Sequence, residues 1–229
     1  SSFFPITPLG LIHTRQTMEQ FRRVEAGDPL ELSCRLHGMS KTQKGIVSRF
    51  LLEVRSDQGL AWQGISEFLT RSPNPVKSQT GQKQENRLKK RLIIKVPPNT
   101  GRQYASVSGD FNPHHLTGLT ARLFGFSRPI AHVMWSLARV SAELEKAFPM
   151  DQAFRLEASF KRPVFLPAVT ALGYEIIRTG KGHPESGPTN LKGSFQGQHS
   201  LVAFELRDAQ SRIPHLKGLV GPTPDKDSY

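Results

Sequence analysis

Period-two alternation marks several stretches of this chain. Leu30, Leu32, Cys34 and Leu36 alternate with Glu31, Ser33, Arg35 and His37, and Phe154, Leu156, Ala158 and Phe160 alternate with Arg155, Glu157, Ser159 and Lys161. Such alternation predicts strands with one face turned to a core and the other to water. Cys34 falls in the apolar set and is expected to be a small core residue. Gly27-Asp28-Pro29 precedes the first of these strands as a turn. Phe50–Arg55, the turn Ser56-Asp57-Gln58-Gly59 and the run from Leu60 to Leu69 form a hairpin. Residues 11–22 fit either a fourth strand or a short helix. Leu92–Val96, ended by Pro97-Pro98, Ala168–Ile177 and Leu201–Arg207 read as further strands. In between, from about Leu116 to Ala147, the period changes to a helical one. Ile130, Val133, Met134, Leu137, Val140 and Leu144 form one stripe, which Ala131, Ala138 and Ala142 widen, so this helix is expected to be largely enclosed.

Residues 71–90 are rich in Ser, Pro, Asn, Lys, Gln and Gly and read as a linker. Residues 179–198 read as a long loop between strands, and residues 222–229 as a loose tail. The chain then divides into a first half at 1–70, a linker at 71–90 and a second half at 91–221. A weak internal repeat joins the halves. Phe21-Arg22-Arg23 and Phe160-Lys161-Arg162 each precede a turn and two strands, and Phe50–Arg55 resembles Val202–Arg207. Each half would be a curved antiparallel sheet with one buried face, and two such sheets can continue into one another at their edges. Only the second half has a long apolar helix. The class is α+β.

With 229 residues, 37% hydrophobic and 22% charged, the chain can build a core of useful size. No run approaches the roughly 18 apolar residues of a membrane helix, so no membrane partner is expected. Ser1 to Pro5 lack the basic flank and apolar stretch of a signal peptide. Together with a single cysteine, this suggests a reducing, cytoplasmic setting. The net charge of +12, from 31 basic and 19 acidic residues, favours an anionic partner. The densest basic group, Lys83, Lys89, Lys90 and Arg91, has no interleaved aromatic residue. That fits a solvated linker or attraction of a phosphorylated ligand better than nucleic acid, and no nucleic-acid partner is expected.

The candidate chemistry lies in Tyr104-Ala105-Ser106-Val107-Ser108-Gly109-Asp110-Phe111-Asn112-Pro113-His114-His115, followed by Ala121, Gly125-Phe126 and Arg128-Pro129-Ile130-Ala131-His132-Val133-Met134. Asp110 and His115 stand five residues apart around Asn112-Pro113. Proline prevents a regular helix there, so an irregular loop can aim a carboxylate and an imidazole at one point. Gly109 would permit a close backbone approach. A carboxylate and an imidazole so aimed can move protons to and from one bound molecule. No Gly-rich dinucleotide loop and no nucleophile-elbow serine is present. His13, His37, His183, His199 and His215 fall in no metal-ligand spacing, so no metal and no cofactor is expected.

From Tyr104 to about Leu137 the chain resembles the MaoC-like, (R)-specific enoyl-thioester hydratase family, and within it the members with tandem hot-dog halves. The resemblance implies a double hot-dog fold whose first half shapes the acyl-chain tunnel without supplying chemistry. It implies that Asp110 and His115 jointly activate a water and that Asn112 orients them. The substrate would be a thioester of CoA or acyl carrier protein, needing no cofactor, and a homodimer is compatible with it. Val133 stands where the family commonly has a glycine whose backbone N–H and open space serve the thioester. Val133, Ser108, Gly109 and His132 are the oxyanion or substrate-binding candidates, with capping or packing as the plainer roles of Ser108 and His132. His114 replaces a usual aliphatic residue, so two adjacent histidines compete, and the spacing from Asp110 favours His115. Thr117-Gly118 replaces a frequent Asp-Pro. Two other functions stay open: a non-catalytic thioester-binding protein, and a thioesterase.

Overall fold

The computed structural model describes residues 11–72, 88, 90–146, 148, 150, 153–178, 200–210 and 212–223. The loop expected at 179–198, most of the 71–90 linker, nearly all of the tail, and His183, His199, Lys83 and Lys89 lie outside the described residues. The elements are strands β1 (Ile12–Gln20), β2 (Glu31–Thr42), β3 (Gly45–Ser56), β4 (Gly59–Arg71) and β5 (Lys90–Val96), then helix α1 (Thr100–Ser108), a 3₁₀ turn (Pro113–His115), helices α2 (Gly118–Leu123) and α3 (Val133–Leu144), and strands β6 (Phe154–Phe160), β7 (Ala168–Arg178), β8 (Ser200–Asp208) and β9 (Pro214–Pro222). Residues 11–22 thus resolve as a strand, β1.

All nine strands form one sheet in the order β2-β3-β4-β1-β6-β9-β8-β7-β5. Every neighbouring pair is antiparallel. The two halves meet where β1 pairs with β6, from Arg15 opposite Ser159 to Gln20 opposite Phe154. Alternation along β6 puts Leu156 and Ala158 on the side of α3. There Leu137, Val140 and Leu144 of the helix join Leu172, Val202, Phe204, Leu206, Leu216 and Val220 in one core. A sheet packed on a long apolar helix is the hot-dog-like arrangement.

Three expectations change. First, the helical stretch is two helices, and α3 begins only at Val133, so Ile130 and Ala131 of the expected stripe precede it. Residues 129–131 are instead held alongside 164–166, with Ala131 N donating to Val164 O at 2.8 Å, Leu166 N to Pro129 O at 2.8 Å, and a bridge between Ile130 and Phe165. These non-local bonds take the backbone groups that a helix would need, so periodicity overstated its length. Second, Cys34 is exposed, as are Leu30, Leu32 and Leu36, because among the described residues no helix belongs to the first half. Third, the polar side of β6 is not solvated. Glu157 is fully buried and ion-paired with Arg15 at 2.6 Å and Arg155 at 2.7 Å, while Arg155 also pairs with Glu19. The Arg15–Glu157 and Arg155–Glu19 pairs cross between β1 and β6, so charge lines the junction of these two strands.

Candidate active site

Helix α1 ends at Gly109, whose φ of +73° is the left-handed conformation that favours glycine, and its N–H closes the helix on Ala105 O at 2.9 Å. A Cβ on Gly109 would meet nothing within 4 Å. The glycine is therefore suited to reversing the chain; the close backbone approach expected there is not what its surroundings require. Ser108 turns its hydroxyl back onto the helix, donating to Tyr104 O at 2.8 Å and accepting from Asp110 N at 3.2 Å. It fixes the start of the loop.

Asp110 Oδ1 accepts from the side-chain amide of Asn112 at 2.6 Å and from its backbone N–H at 3.2 Å. This leaves Oδ2 directed at the two histidines, 3.9 Å from His115 Nε2 and 3.6 Å from His132 Nε2. Pro113 opens the 3₁₀ turn that carries His115 inward. The His115 ring is 8% exposed, and its Nδ1 lies 2.8 Å from the Ile130 carbonyl. A carbonyl only accepts, so Nδ1 carries the proton and Nε2 presents its lone pair toward Asp110. Burial pushes the His115 pKa down to about 4. The Ile130 bond and Asp110 oppose this, whereas His132 and His114 add to it. At neutral pH His115 is an uncharged acceptor.

His132 lies beneath it, with ring centroids 3.5 Å apart and planes 23° from parallel. It occupies the N-cap position of α3 without making a side-chain cap bond. Val133 is the first residue of α3, where backbone N–H groups have no intrahelical acceptor and the helix dipole is positive. His114 packs its ring 4.1 Å from that of His115, 5.8 Å from that of Phe124 and 5.6 Å from that of Phe126. Burial lowers its pKa. Of the two adjacent histidines, His115 is the one whose ring nitrogen lies near Asp110. At the Thr117-Gly118 departure, Thr117 caps α2 by accepting from Thr120 N at 3.2 Å, with the reciprocal bond completing a capping box.

Asp110, His115 and His132 each bring one ligand-type atom within 4.8 Å of the others, the constellation here that could hold a cation. The donor set argues for less. His132 Nε2 lies 2.9 Å from the Asp110 carbonyl and must carry a proton there, so that nitrogen offers a cation no lone pair.

Two contributors were not legible in the sequence. A Cβ on Gly101 would lie 2.0 Å from the His115 carbonyl oxygen, so α1 can cross the His115 backbone only with glycine there. The Ile130 carbonyl selects the His115 tautomer, and no side-chain identity signals a backbone group.

The chain is similar to known MaoC-like proteins and dehydratases. Residues 76–183 match the MaoC-like domain. The 3-hydroxyacyl-thioester dehydratase X of Mycobacterium tuberculosis is 30% identical over 172 residues, which are 74% of this chain and 61% of that protein. The chain thus spans less than two thirds of the length of this relative. A crystal structure of HtdX from M. tuberculosis superposes with a TM-score of 0.71 at 26% identity, covering 96% of this chain and 80% of that one. A MaoC-like dehydratase from Phytophthora capsici shares the fold, with a TM-score of 0.69 at 20% identity over 98% of this chain and 77% of that one. Asp110, His115 and His132 therefore lie within the stretch that matches the MaoC-like domain, and the fold is shared with HtdX.

Proposed function

We propose that this protein reversibly hydrates trans-2-enoyl thioesters to (R)-3-hydroxyacyl thioesters, with Asp110 and His115 as its proton-handling pair. One observation carries the reading. At neutral pH Asp110 Oδ2 and His115 Nε2 are both acceptors, 3.9 Å apart, and cannot bond each other. A water molecule has two protons to donate and can bridge them. Its oxygen would attack C3 of the enoyl group as its proton moves to His115 Nε2. The electron pair of the double bond then shifts toward the thioester oxygen, and C2 takes a proton back from the Asp110–His115 pair, so net addition is one water. Asn112 keeps the Asp110 carboxylate turned toward His115. The N–H of Val133, at the positive end of α3, is the candidate donor to the enolate-like oxygen, and such a donor is worth about 3 kcal/mol in an enclosed site.

The names of the M. tuberculosis relative and of the MaoC-like domain support dehydratase chemistry of this kind. The enoyl substrate, the stereochemistry and a tandem double hot-dog organisation, with 1–70 as a half without chemistry and 91–221 as the catalytic half, rest on the sequence resemblance. The net charge of +12 favours a phosphorylated carrier, CoA or the phosphopantetheine of an acyl carrier protein.

Incubation with crotonyl-CoA tests the reading. Loss of enoyl absorbance without release of thiol, with (R)-3-hydroxybutyryl-CoA as product, is expected. Release of free thiol would identify a thioesterase, and binding without turnover a non-catalytic thioester-binding protein. Val133→Pro removes the N–H at a position where proline is tolerated, and should abolish turnover in a folded protein. Val133→Gly should preserve it.

A further inference from the structure

We infer that His132 is a positioning residue that stays neutral as its Nε2–H tautomer and, through one hydrogen bond and one stacked face, holds Asp110 and His115 in register; the inference rests on the function proposed above. His132 is 3% exposed, and its ring performs no capping at the start of α3. Its Nε2 lies 2.9 Å from the Asp110 carbonyl oxygen, which can only accept, so Nε2 is protonated. Its Nδ1 is buried and has no hydrogen-bond partner among the described residues. A second proton on that nitrogen would be a buried donor with nothing to receive it, on a charged ring removed from water. The ring is therefore an uncharged Nε2–H imidazole.

The other groups around the ring fit that state. His115 stacks on it at 3.5 Å, and Tyr104 lies with its ring 4.9 Å away. Among the charged groups, Asp110 Oδ2 is 3.6 Å from Nε2, beyond hydrogen-bond length. A neutral His132 can face the His115 imidazolium that forms during turnover, whereas a charged one would repel it.

The consequence is mechanical. Asp110 follows the helix-ending Gly109, and Asn112 holds its carboxylate from the C-terminal side. The His132 N–H fixes the Asp110 main chain directly to the start of α3, the element that also carries the Val133 N–H. Carboxylate, imidazole and candidate oxyanion donor are thereby referred to one rigid point. His132 acts through Asp110 and His115 and not on the substrate.

The test uses His132→Gln, His132→Asn and His132→Ala in the intact protein. The Gln amide nitrogen is as many bonds from Cα as Nε2 and can donate to the Asp110 carbonyl, whereas the Asn amide stops at the Nδ1 position. With crotonyl-CoA, the Ala and Asn variants should lose kcat by about 100-fold with KM little changed, and Gln should recover most of the loss. Wild-type kcat in the Ala variant, a folded Gln variant as poor as Ala, or a change confined to KM would each overturn the inference, the last by making His132 a substrate contact. Nitrogen-15 chemical shifts of the wild-type ring supply a readout independent of activity. They should report a protonated Nε2 and a bare Nδ1 at about pH 7.5; an imidazolium or the Nδ1–H tautomer there would overturn it even if a variant failed to fold. If the wild type does not hydrate crotonyl-CoA, the proposed function fails, while the ring spectrum still decides the state of His132.

Discussion

Leu32 and Leu172 occupy equivalent places in the two halves of the sheet. Leu32 of β2 stands opposite Val54 of β3, and Leu172 of β7 opposite Leu206 of β8, in register with the internal repeat. Yet Leu32 is 73% exposed and Leu172 is fully buried. The difference lies in what surrounds the strands. β7 is paired on both sides, by β5 and β8, and α3 packs on its face, whereas β2 is an edge strand paired only with β3. The same hairpin pattern therefore makes a core in one half and an open apolar face in the other. The candidate site follows the same division, because it needs the start of a helix set against the sheet, and only the second half has one among the described residues.

The sharpest way to break this comparison is at the site. Asp110→Asn and His115→Ala should each reduce turnover at least about 100-fold, and the double variant little further, because the two act on one water. Comparable damage from any conservative change on β2 would place chemistry in the first half. If His114→Ala were the damaging change and His115→Ala silent, the assignment of the base would be wrong.

Next in size is the pair of leucines. Leu172→Ala should cost about 2–5 kcal/mol of unfolding free energy, by loss of burial plus the cavity left behind. Leu32→Ala should change it by no more than about 0.5 kcal/mol. Equal losses in urea titrations would mean that the face of β2 is covered in solution.

Gly101→Ala should follow, at about 1–3 kcal/mol, because the added methyl meets the His115 carbonyl and α1 must shift. Since that carbonyl belongs to the candidate base, kcat should fall along with the melting temperature, and a loss of stability alone would separate α1 from the site.

The smallest effect is one of pH, and it compares a histidine from each half. Burial pushes both His13 of β1 and His115 down to about 4. The unfolded chain protonates these groups near 6.5, so between about 6.5 and 4 it binds protons that the folded protein does not. Stability should fall as the pH drops through that window and level off below it. His13→Gln and His115→Gln should each flatten the melting curve against pH, and the two together more than either. Activity should persist down the same window and fail only as His115 protonates near pH 4; an acid limb near 6.5 would mean that His115 is solvated.

Much of this organisation was legible in the chain. Alternation located β2 and β6, apolar runs bounded by turns and loops located β3, β7 and β8, and the spacing of Asp110, Asn112 and His115 brought together groups that the fold does place side by side. These are local signals, because side-chain period and loop chemistry are set by neighbours in sequence. The start of α3 at Val133, the burial of Glu157 and the exposure of Cys34 and Leu32 were not legible. Each depends on a partner far along the chain: residues 164–166 for the start of the helix, Arg15 for the carboxylate, and the presence or absence of a helix over the sheet for the apolar face. The same holds for His132, whose sequence position suggests a cap and whose bond to the Asp110 carbonyl exists only once the loop folds back onto α3. Sequence alone determined which residues could do the chemistry; tertiary structure decided their tautomers and distances, because hydrogen bonds to distant backbone carbonyls fix both.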